Sequence, residues 1–446
     1  MNVEEVQTLI EEKKFHEFRE SLSELNEADI ASILEELTPE MQVKAFRFLP
    51  KDIAADVFAY LPTDVEQEII TSLTDVEATN IINNMMSDDA ADLLEEMPAS
   101  VVKKLLSNAS PEARRDINHL LKFPEDSAGS IMTVEFVDLK ENLTVADAIE
   151  RIRRTGIDKE TINTCYVLDN RRRLIGIVAL RALILSRQDA LIGDIMEENV
   201  ISVDTMMDQE DVARQISKYD FSSIPVVDSE RRLVGIVTVD DIVDIIQEEA
   251  TEDIQKMAAI VPSDIPYTKM SVIDLWKKRV GWLLLLMVSA TFTGRIITSY
   301  ESALGAYIIL AAYIPQLMDT GGNTGSQSST MIIRALSLKD IEFRDIFRVL
   351  KKEFVVAMCC GLTLAAANFV KLLVVDKLDP LVALVICLTM IVAVITANLV
   401  GCALPMAAKR MNFDPAVMAS PMLTTIIDAV TLTIYFVFAT HILHIG

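Results

Sequence analysis

PAVMASPMLTTIIDAVTLTIYFVFATHILHI, residues 415–445, is apolar and long enough to cross a hydrocarbon core of roughly 30 Å, yet it carries Asp428 near its middle and no other acid. An ionised carboxylate near a bilayer centre costs at least about 2.5 kcal/mol unless something compensates it. Its default reading is a station on a cation or proton pathway; the alternative is a protonated or neighbour-bonded structural acid. Pro421, Thr424, Thr425, Asp428 and Thr431 recur at three- and four-residue steps, so a helix shows them on one face, as a pore-lining helix would. A helix–helix contact rich in small and hydroxyl residues has the same pattern but leaves Asp428 unexplained. Asp414, fourteen residues upstream, would stand roughly 21 Å along a continuous helix on nearly the same side.

Upstream, four more stretches have the length and apolarity of a span: about Val280–Thr298, Ser302–Met318, Phe354–Val375 and Leu381–Leu404. The second runs into PQLMDTGGNTGSQ, residues 315–327, where proline and three glycines predict a broken or distorted helix. Polar, irregular backbone at membrane depth is tolerated where it lines a water-filled cavity, so Asn323 and its neighbours are pathway candidates, a simple interfacial loop being the alternative. Basic residues orient the bundle. Lys277, Lys278 and Arg279 precede the first span, a run from Arg334 to Lys352 separates the second from the third, and Lys409 and Arg410 separate the fourth from the fifth. The positive-inside rule puts all three in the cytosol, with the carboxyl terminus outside a prokaryotic-type plasma membrane.

The charge divides the chain. Residues 1–270 carry 55 acids against 27 Lys and Arg, and residues 271–446 carry 11 against 14, so the net −25 separates into −28 and +3. So acidic a soluble half repels nucleic acid and anionic lipid and attracts metal cations or basic partners. MNVEEVQTLIEEKK has neither a basic n-region nor an apolar core, which predicts no cleaved signal and a cytosolic location for this half. Four of the five cysteines fall in apolar stretches and the four histidines are scattered, so neither a disulfide framework nor a zinc site is indicated. The absence of a GxxxxGK[ST] pattern, and of any aspartyl-phosphate or Ser/His/Asp constellation, argues against an enzyme.

Two repeats organise the acidic half. Leu37, Leu49, Leu61, Leu73, Met85, Met97, Ala109 and Leu121 recur every twelve residues, each followed by a cap or turn residue. Short helices stacked into a superhelix follow. Thr63 with Glu66 and Thr74 with Glu77 fit capping boxes. Asp88, Asp89 and Asp92 crowd one helix start, where dipole stabilisation explains each singly and metal ligation would explain them together. The second repeat aligns YVLDNRRRLIGIVALRALI (166–184) with PVVDSERRLVGIVTVDDIV (225–243) at an offset of 59, matching Asp169 to Asp228 and Gly176 to Gly235. Ile131-Met132-Thr133 and Ile195-Met196-Glu197 open the two copies, each reading as strand, turn, strand, helix. This duplication resembles the CBS pair, a regulatory α/β module that often binds adenine nucleotides. The family's ribose-binding G-x-[TS]-x-x-D pattern survives in Gly235…Thr238…Asp240-Asp241, whereas the first copy has Ala179 and Ala182, so the resemblance implies at most one intact ATP site per chain, using Thr238 and Asp241.

DDIVDIIQEEATEDIQKMAAI, residues 240–260, would form a helix with two acidic faces around an Ile/Met stripe. Like charges three and four apart destabilise such a helix, and a bound cation would reverse the penalty; a solvated linker is the alternative. The order of these parts, with Pro315…Gly321-Gly322-Asn323-Thr324-Gly325…Gln327 and Asp414-Pro415-Ala416…Pro421…Asp428, resembles the MgtE family of magnesium channels over essentially the whole chain. The fold that the resemblance implies is multidomain. It consists of an acidic α-helical superhelical N domain (1–128), an α/β CBS pair (129–193 and 194–246), a connecting or plug helix (247–270) and an all-α transmembrane domain of five helices (271–446). It further implies a homodimer with the pore on its two-fold axis, Asp428 holding a largely hydrated Mg²⁺, and Asn323, Ser420, Pro421, Thr424 and Thr425 lining the pore. Regulatory Mg²⁺ would bind Asp220, Asp241, Asp244, Glu249, Glu252, Asp253 and Asp414 and hold the pore shut. Members often have Asn at position 420 and Gly at 431, where this chain has Ser420 and Thr431. An ion-coupled divalent exchanger, or a nucleotide-sensing regulator that transports nothing, are the rival readings.

Overall fold

The computed structural model describes residues 3–444 apart from 13, 23, 24, 52, 264, 266 and 419, and leaves aside the side chains of 3, 4, 302, 303, 306 and 420. The chain divides into two compact units, residues 1–246 and 247–446.

In the first unit, two helices, α1 (Val3–Glu11) and α2 (Phe15–Leu22), precede the twelve-residue repeat. That repeat becomes α3 (Glu27–Glu35), α4 (Pro39–Arg47), α5 (Ala54–Ala59), α6 (Thr63–Ser72), α7 (Asp75–Asn84), α8 (Ser87–Glu95), α9 (Ala99–Asn108) and α10 (Pro111–Leu120). From α3 onward each helix packs on the one two along, α3 on α5 through to α8 on α10, which is the superhelix the repeat implies. Leu37, Leu49, Leu61 and Met97 are buried at the joints because each closes one helix onto the core. Thr74 and Glu77 form the expected capping box, with the Thr74 N–H donating to Glu77 at 2.8 Å. The Thr63 box does not form: Pro62 is the cap residue of α6, Thr63 lies inside the helix, and Glu66 is buried.

The duplicated segment gives two three-stranded sheets. The first holds β1 (Asp138–Leu139), β2 (Thr164–Leu168) and β3 (Leu174–Ala179); the second holds β4 (Val203–Asp204), β5 (Ser223–Val227) and β6 (Leu233–Thr238). The helices are α11 (Val145–Thr155), α12 (Leu180–Leu185) and α13 (Ile192–Ile195) in the first copy, then α14 (Gln209–Tyr219) and α15 (Val239–Met257). The register repeats with the sequence offset, Thr164 opposite Ala179 and Ser223 opposite Thr238. Asp169 and Asp228 do the same work in the two hairpins: each Oδ1 accepts two backbone N–H groups and stabilises a turn whose Arg172 or Arg231 has positive φ. The opening segments are exchanged between copies, Thr133 bridging Ile236 and Glu197 bridging Ile177. Gly176 and Gly235 make room for the exchange, since a Cβ would lie 2.6 Å from Met196 Sδ and 2.6 Å from the Thr133 carbonyl, respectively. α15 starts at Val239 and continues without interruption to Met257, so the connecting helix is the last helix of the second copy.

Among its described residues, the second unit holds the end of α15 and then α16 (Val272–Ser299), α17 (Glu301–Ala306), α18 (Ile309–Ser337), α19 (Ile346–Val374), α20 (Pro380–Arg410) and α21 (Ser420–Ile442). Four stretches of described residues are long and apolar enough to cross a membrane: Val272–Ser299, Phe343–Val374, Pro380–Arg410 and Pro415–Ile442. Leu283, Leu284, Met287, Val288 and Phe292 of α16 are exposed, a surface that lipid covers favourably and water does not. The expected span Ser302–Met318 is corrected. α18 starts at Ile309 and runs unbroken through Pro315 and the glycines to Ser337, too polar to count among the four. Pro315, two turns in, forfeits one bond to the Ala311 carbonyl. The glycines are packing residues: a Cβ on Gly321 would lie 3.1 Å from Thr431 Oγ1, one on Gly322 3.2 Å from the Thr424 methyl, and one on Gly325 2.2 Å from Ile427. Small residues let helix backbones approach where no hydrophobic effect drives them together.

Candidate functional site

Asp428 is the ninth residue of α21, about 12 Å from its start. Its carboxylate is half-buried and no described residue pairs with it. The polar stripe around it divides. Thr431 is fully buried, its hydroxyl without a partner, against Gly321; Thr424 turns its methyl to Gly322. Thr424 and Thr425 both donate to the Pro421 carbonyl, at 3.0 and 3.1 Å. Pro421 and Thr425 are half-buried near Asp428, whereas Asn323 is exposed on the far side of α18 from the glycines that meet α21. Ser420's side chain lies outside the described residues. Asp414 is not in phase with α21, because Pro415–Met418 form a separate 3₁₀ turn; its Oδ1 accepts the Ala416 N–H at 2.8 Å. Sequence reasoning missed Glu353, which lies inside the span Phe343–Val374 and joins three helices: Ser328 of α18 donates to it at 3.0 Å and Asn398 of α20 at 3.4 Å.

At the plug helix, Lys256 Nζ lies 2.6 Å from Glu252 Oε1 and 2.7 Å from Asp414 Oδ2. Ser337 Oγ donates to Asp253 at 3.4 Å. Desolvation first, then the neighbouring Asp414, pushes the Asp253 carboxyl above its usual range. Met257 packs with Ile333 and Ala416, fixing the last turn of α15 on α18 and the 3₁₀ turn.

In the first unit, the start of α8 meets the start of α15 in a cluster of acids. Asp88 is 7% exposed and its Oδ1 has no partner. Burial, then Asp89, Asp241, Glu160 and Glu135, raise its pKa well above the ordinary value. Asp89 and Glu160 are each pushed to about 7, mainly by desolvation and then by Asp241, and Glu66 to about 8 by desolvation with Asp89 and Asp92. Asp241 is also raised by burial, although Thr238 Oγ1 donates to it at 2.6 Å. Glu135 accepts from Ser87, Thr133 and the Val134 N–H at 2.7, 2.6 and 3.1 Å. It borders a cleft of about 1270 Å³. The sequence names Asp88, Asp89 and Asp92 as one group and Asp241 in another part of the chain, and the fold brings Asp88 and Asp89 up to Asp241. It also adds Glu66, whose spacing fits a capping box that does not form, and Glu135 and Glu160, which no local pattern distinguishes from solvated acids. Asp220, with positive φ at the end of α14, is exposed, and Asp244 is exposed one turn beyond Asp241, close enough for its charge to help raise that carboxyl. Among the described residues no three or more His, Cys, Asp and Glu converge closely enough to hold a metal.

The raised carboxyls fix the sign of a pH effect. Below about pH 4 they are protonated folded or unfolded. Between the ordinary values of 3.8 and 4.5 and the folded values near 7, the unfolded chain releases protons that the fold retains, so stability is lost as pH rises through that window. In EDTA, the thermal transition of the acidic unit in the full chain is expected to fall by several degrees between pH 5 and pH 8, and millimolar Mg²⁺ at pH 8 is expected to restore it. A transition rising with pH would contradict the cluster.

Comparison with known proteins follows these divisions. Residues 25–126 match the MgtE intracellular N domain, 128–188 and 192–248 match CBS domains, and 314–438 match the MgtE divalent cation transporter model. The magnesium transporter MgtE of Thermus thermophilus is 41% identical over 337 residues, 75% of this chain and 74% of its own length. That of Bacillus subtilis is 32% identical over 440 residues, covering 98% and 96%. A crystal structure of the cytosolic domain of the Mg²⁺ channel MgtE in complex with ATP, 36% identical, aligns with 55% of this chain and 99% of its own at a TM-score of 0.52.

Proposed function

The chain belongs to the MgtE family of magnesium transporters, and we propose that it is a multi-pass plasma-membrane channel that admits Mg²⁺ and is closed by cytosolic Mg²⁺. Asp428 carries this reading: an unpaired, half-buried carboxylate on an apolar helix is costly unless a cation passes it. Mg²⁺ sheds water reluctantly, so a carboxylate from each subunit of a homodimer would hold the hydrated ion rather than strip it. α18 would supply the fifth span, its polar face turned from lipid. The amino terminus lies inside and the carboxyl terminus outside, as the basic segments favour.

The sensor is the acidic cytosolic half. Asp88, Asp89, Asp92 and Asp241 offer hard oxygen ligands, with the unpartnered Asp88 Oδ1 the strongest invitation. Asp220, Asp244, Glu249, Glu252, Asp253 and Asp414 would add ligands once a second subunit is present. Bound cations neutralise carboxylates that otherwise repel, so the compact, closed state is favoured when Mg²⁺ is plentiful. The Thr238–Asp241 pair is the candidate ATP contact, and the relative with bound ATP supports it. The protein is read as a transporter and not as an enzyme.

The test is Mg²⁺ uptake into proteoliposomes with a trapped indicator, without Na⁺ and without a proton gradient. Sustained uptake supports a channel; uptake that requires a coupling ion supports an exchanger; none supports the nucleotide-sensing regulator.

A further inference from the structure

Resting on that reading, we propose that Lys256 is a tethered cation occupying the position between Glu252 and Asp414, so that a divalent ion binds there only by exchange with its ammonium.

The geometry is a charge cluster already satisfied from within. Lys256 Nζ contacts Glu252 Oε1 at 2.6 Å and Asp414 Oδ2 at 2.7 Å, while Asp414 Oδ1 is committed to the Ala416 N–H at 2.8 Å. Both oxygens of Asp414 are therefore engaged, and the acids do not converge on an open point. The ammonium is a compact point charge with three donors on a flexible stem, so it can leave and return without moving the helix. Met257, packed with Ile333 and Ala416, anchors the adjoining turn independently of the charge. The sequence carries a trace of the arrangement: Lys256 is the only Lys or Arg between Arg232 and Lys269 and follows Glu252 by one helical turn.

The consequence is a sensor detuned on purpose. An ion that must displace a built-in cation binds more weakly than the same carboxylates would allow, and a weak site responds at the millimolar concentrations where a cytosolic sensor must switch. Removing the competitor should tighten the site by roughly tenfold, in the range of ordinary coupling between two ligands.

The experiment is Mn²⁺ binding to the purified full-length protein, followed by the electron paramagnetic resonance signal of the free ion; Mn²⁺ shares the oxygen-ligand preference of Mg²⁺. Lys256→Met is expected to bind one Mn²⁺ per chain about tenfold more tightly than the wild type, and Lys256→Arg, which keeps the charge, to bind as the wild type does. Adding Asp414→Asn to Lys256→Met is expected to abolish the gain. Unchanged or weaker binding in Lys256→Met, or a gain that survives Asp414→Asn, would overturn the exchange. Because this readout needs no flux, a wild-type chain that fails to pass Mg²⁺ would refute the channel reading and leave this result standing.

Discussion

Replacing Asp428 by alanine is expected to lower Mg²⁺ uptake at least about tenfold while the protein is still made, inserted and stable. The two halves of that statement come from one observation. Asp428 is half-buried in an apolar helix without a partner among the described residues, so it makes no contact whose loss would weaken the fold. Removing it takes away a desolvation cost, and the melting temperature should hold or rise. The cation, by contrast, loses the only acid of its helix. Asp428→Asn, of nearly the same shape, should be equally inactive, because charge rather than volume is what the ion meets. A structural acid would behave in the opposite way, with alanine destabilising the protein and asparagine restoring it. Uptake and thermal stability measured on the same preparations separate the two.

Gly401→Val is expected to produce the largest loss of folded protein. A Cβ at Gly401 would sit 2.5 Å from the carbonyl oxygen of Gly325 and 3.2 Å from its carbon, both backbone atoms of the facing helix. A flexible side chain could turn aside; a helix backbone cannot, so α18 and α20 must separate. Overpacking a tight contact costs about 1–3 kcal/mol, and a branched residue belongs at the upper end. Separation would also loosen the Ser328–Glu353–Asn398 contacts, which join the same helices. Gly294 of α16 is the control, since nothing lies within 4 Å of its added Cβ. Gly294→Ala should be neutral or stabilising by up to about 1 kcal/mol through helix propensity. Detergent-solubilised yield and melting temperature check both, and equal behaviour of the two variants would contradict the packing role of Gly401.

Much of the fold was legible because periodicity reports on burial. The twelve-residue repeat gave the superhelix, the offset of 59 gave two sheets in identical register, and the apolar runs gave four of the membrane helices. The errors have a common cause. Backbone propensity makes proline and glycine in residues 315–327 breakers, whereas their use is tertiary: the glycines receive Thr431, Thr424 and Ile427. Glu66 fits the spacing of a capping box, yet Pro62 caps the helix and Glu66 turns inward. Glu135 and Glu160 join Asp88, Asp89 and Asp241 from loops far away in sequence, and no local pattern could have gathered them. Counting fourteen residues as helical turns puts Asp414 in phase with α21, but the 3₁₀ segment interrupts those turns.

The most direct test of a Mg²⁺-gated pore is the current carried by Mg²⁺ across excised patches from cells expressing the protein, with Mg²⁺ at the cytosolic face varied from micromolar to about 10 mM, a range that brackets a weak sensor. A current that falls as cytosolic Mg²⁺ rises, and is absent in Asp428→Ala, is the predicted result. A current that is indifferent to cytosolic Mg²⁺, or that survives the loss of Asp428, would contradict it.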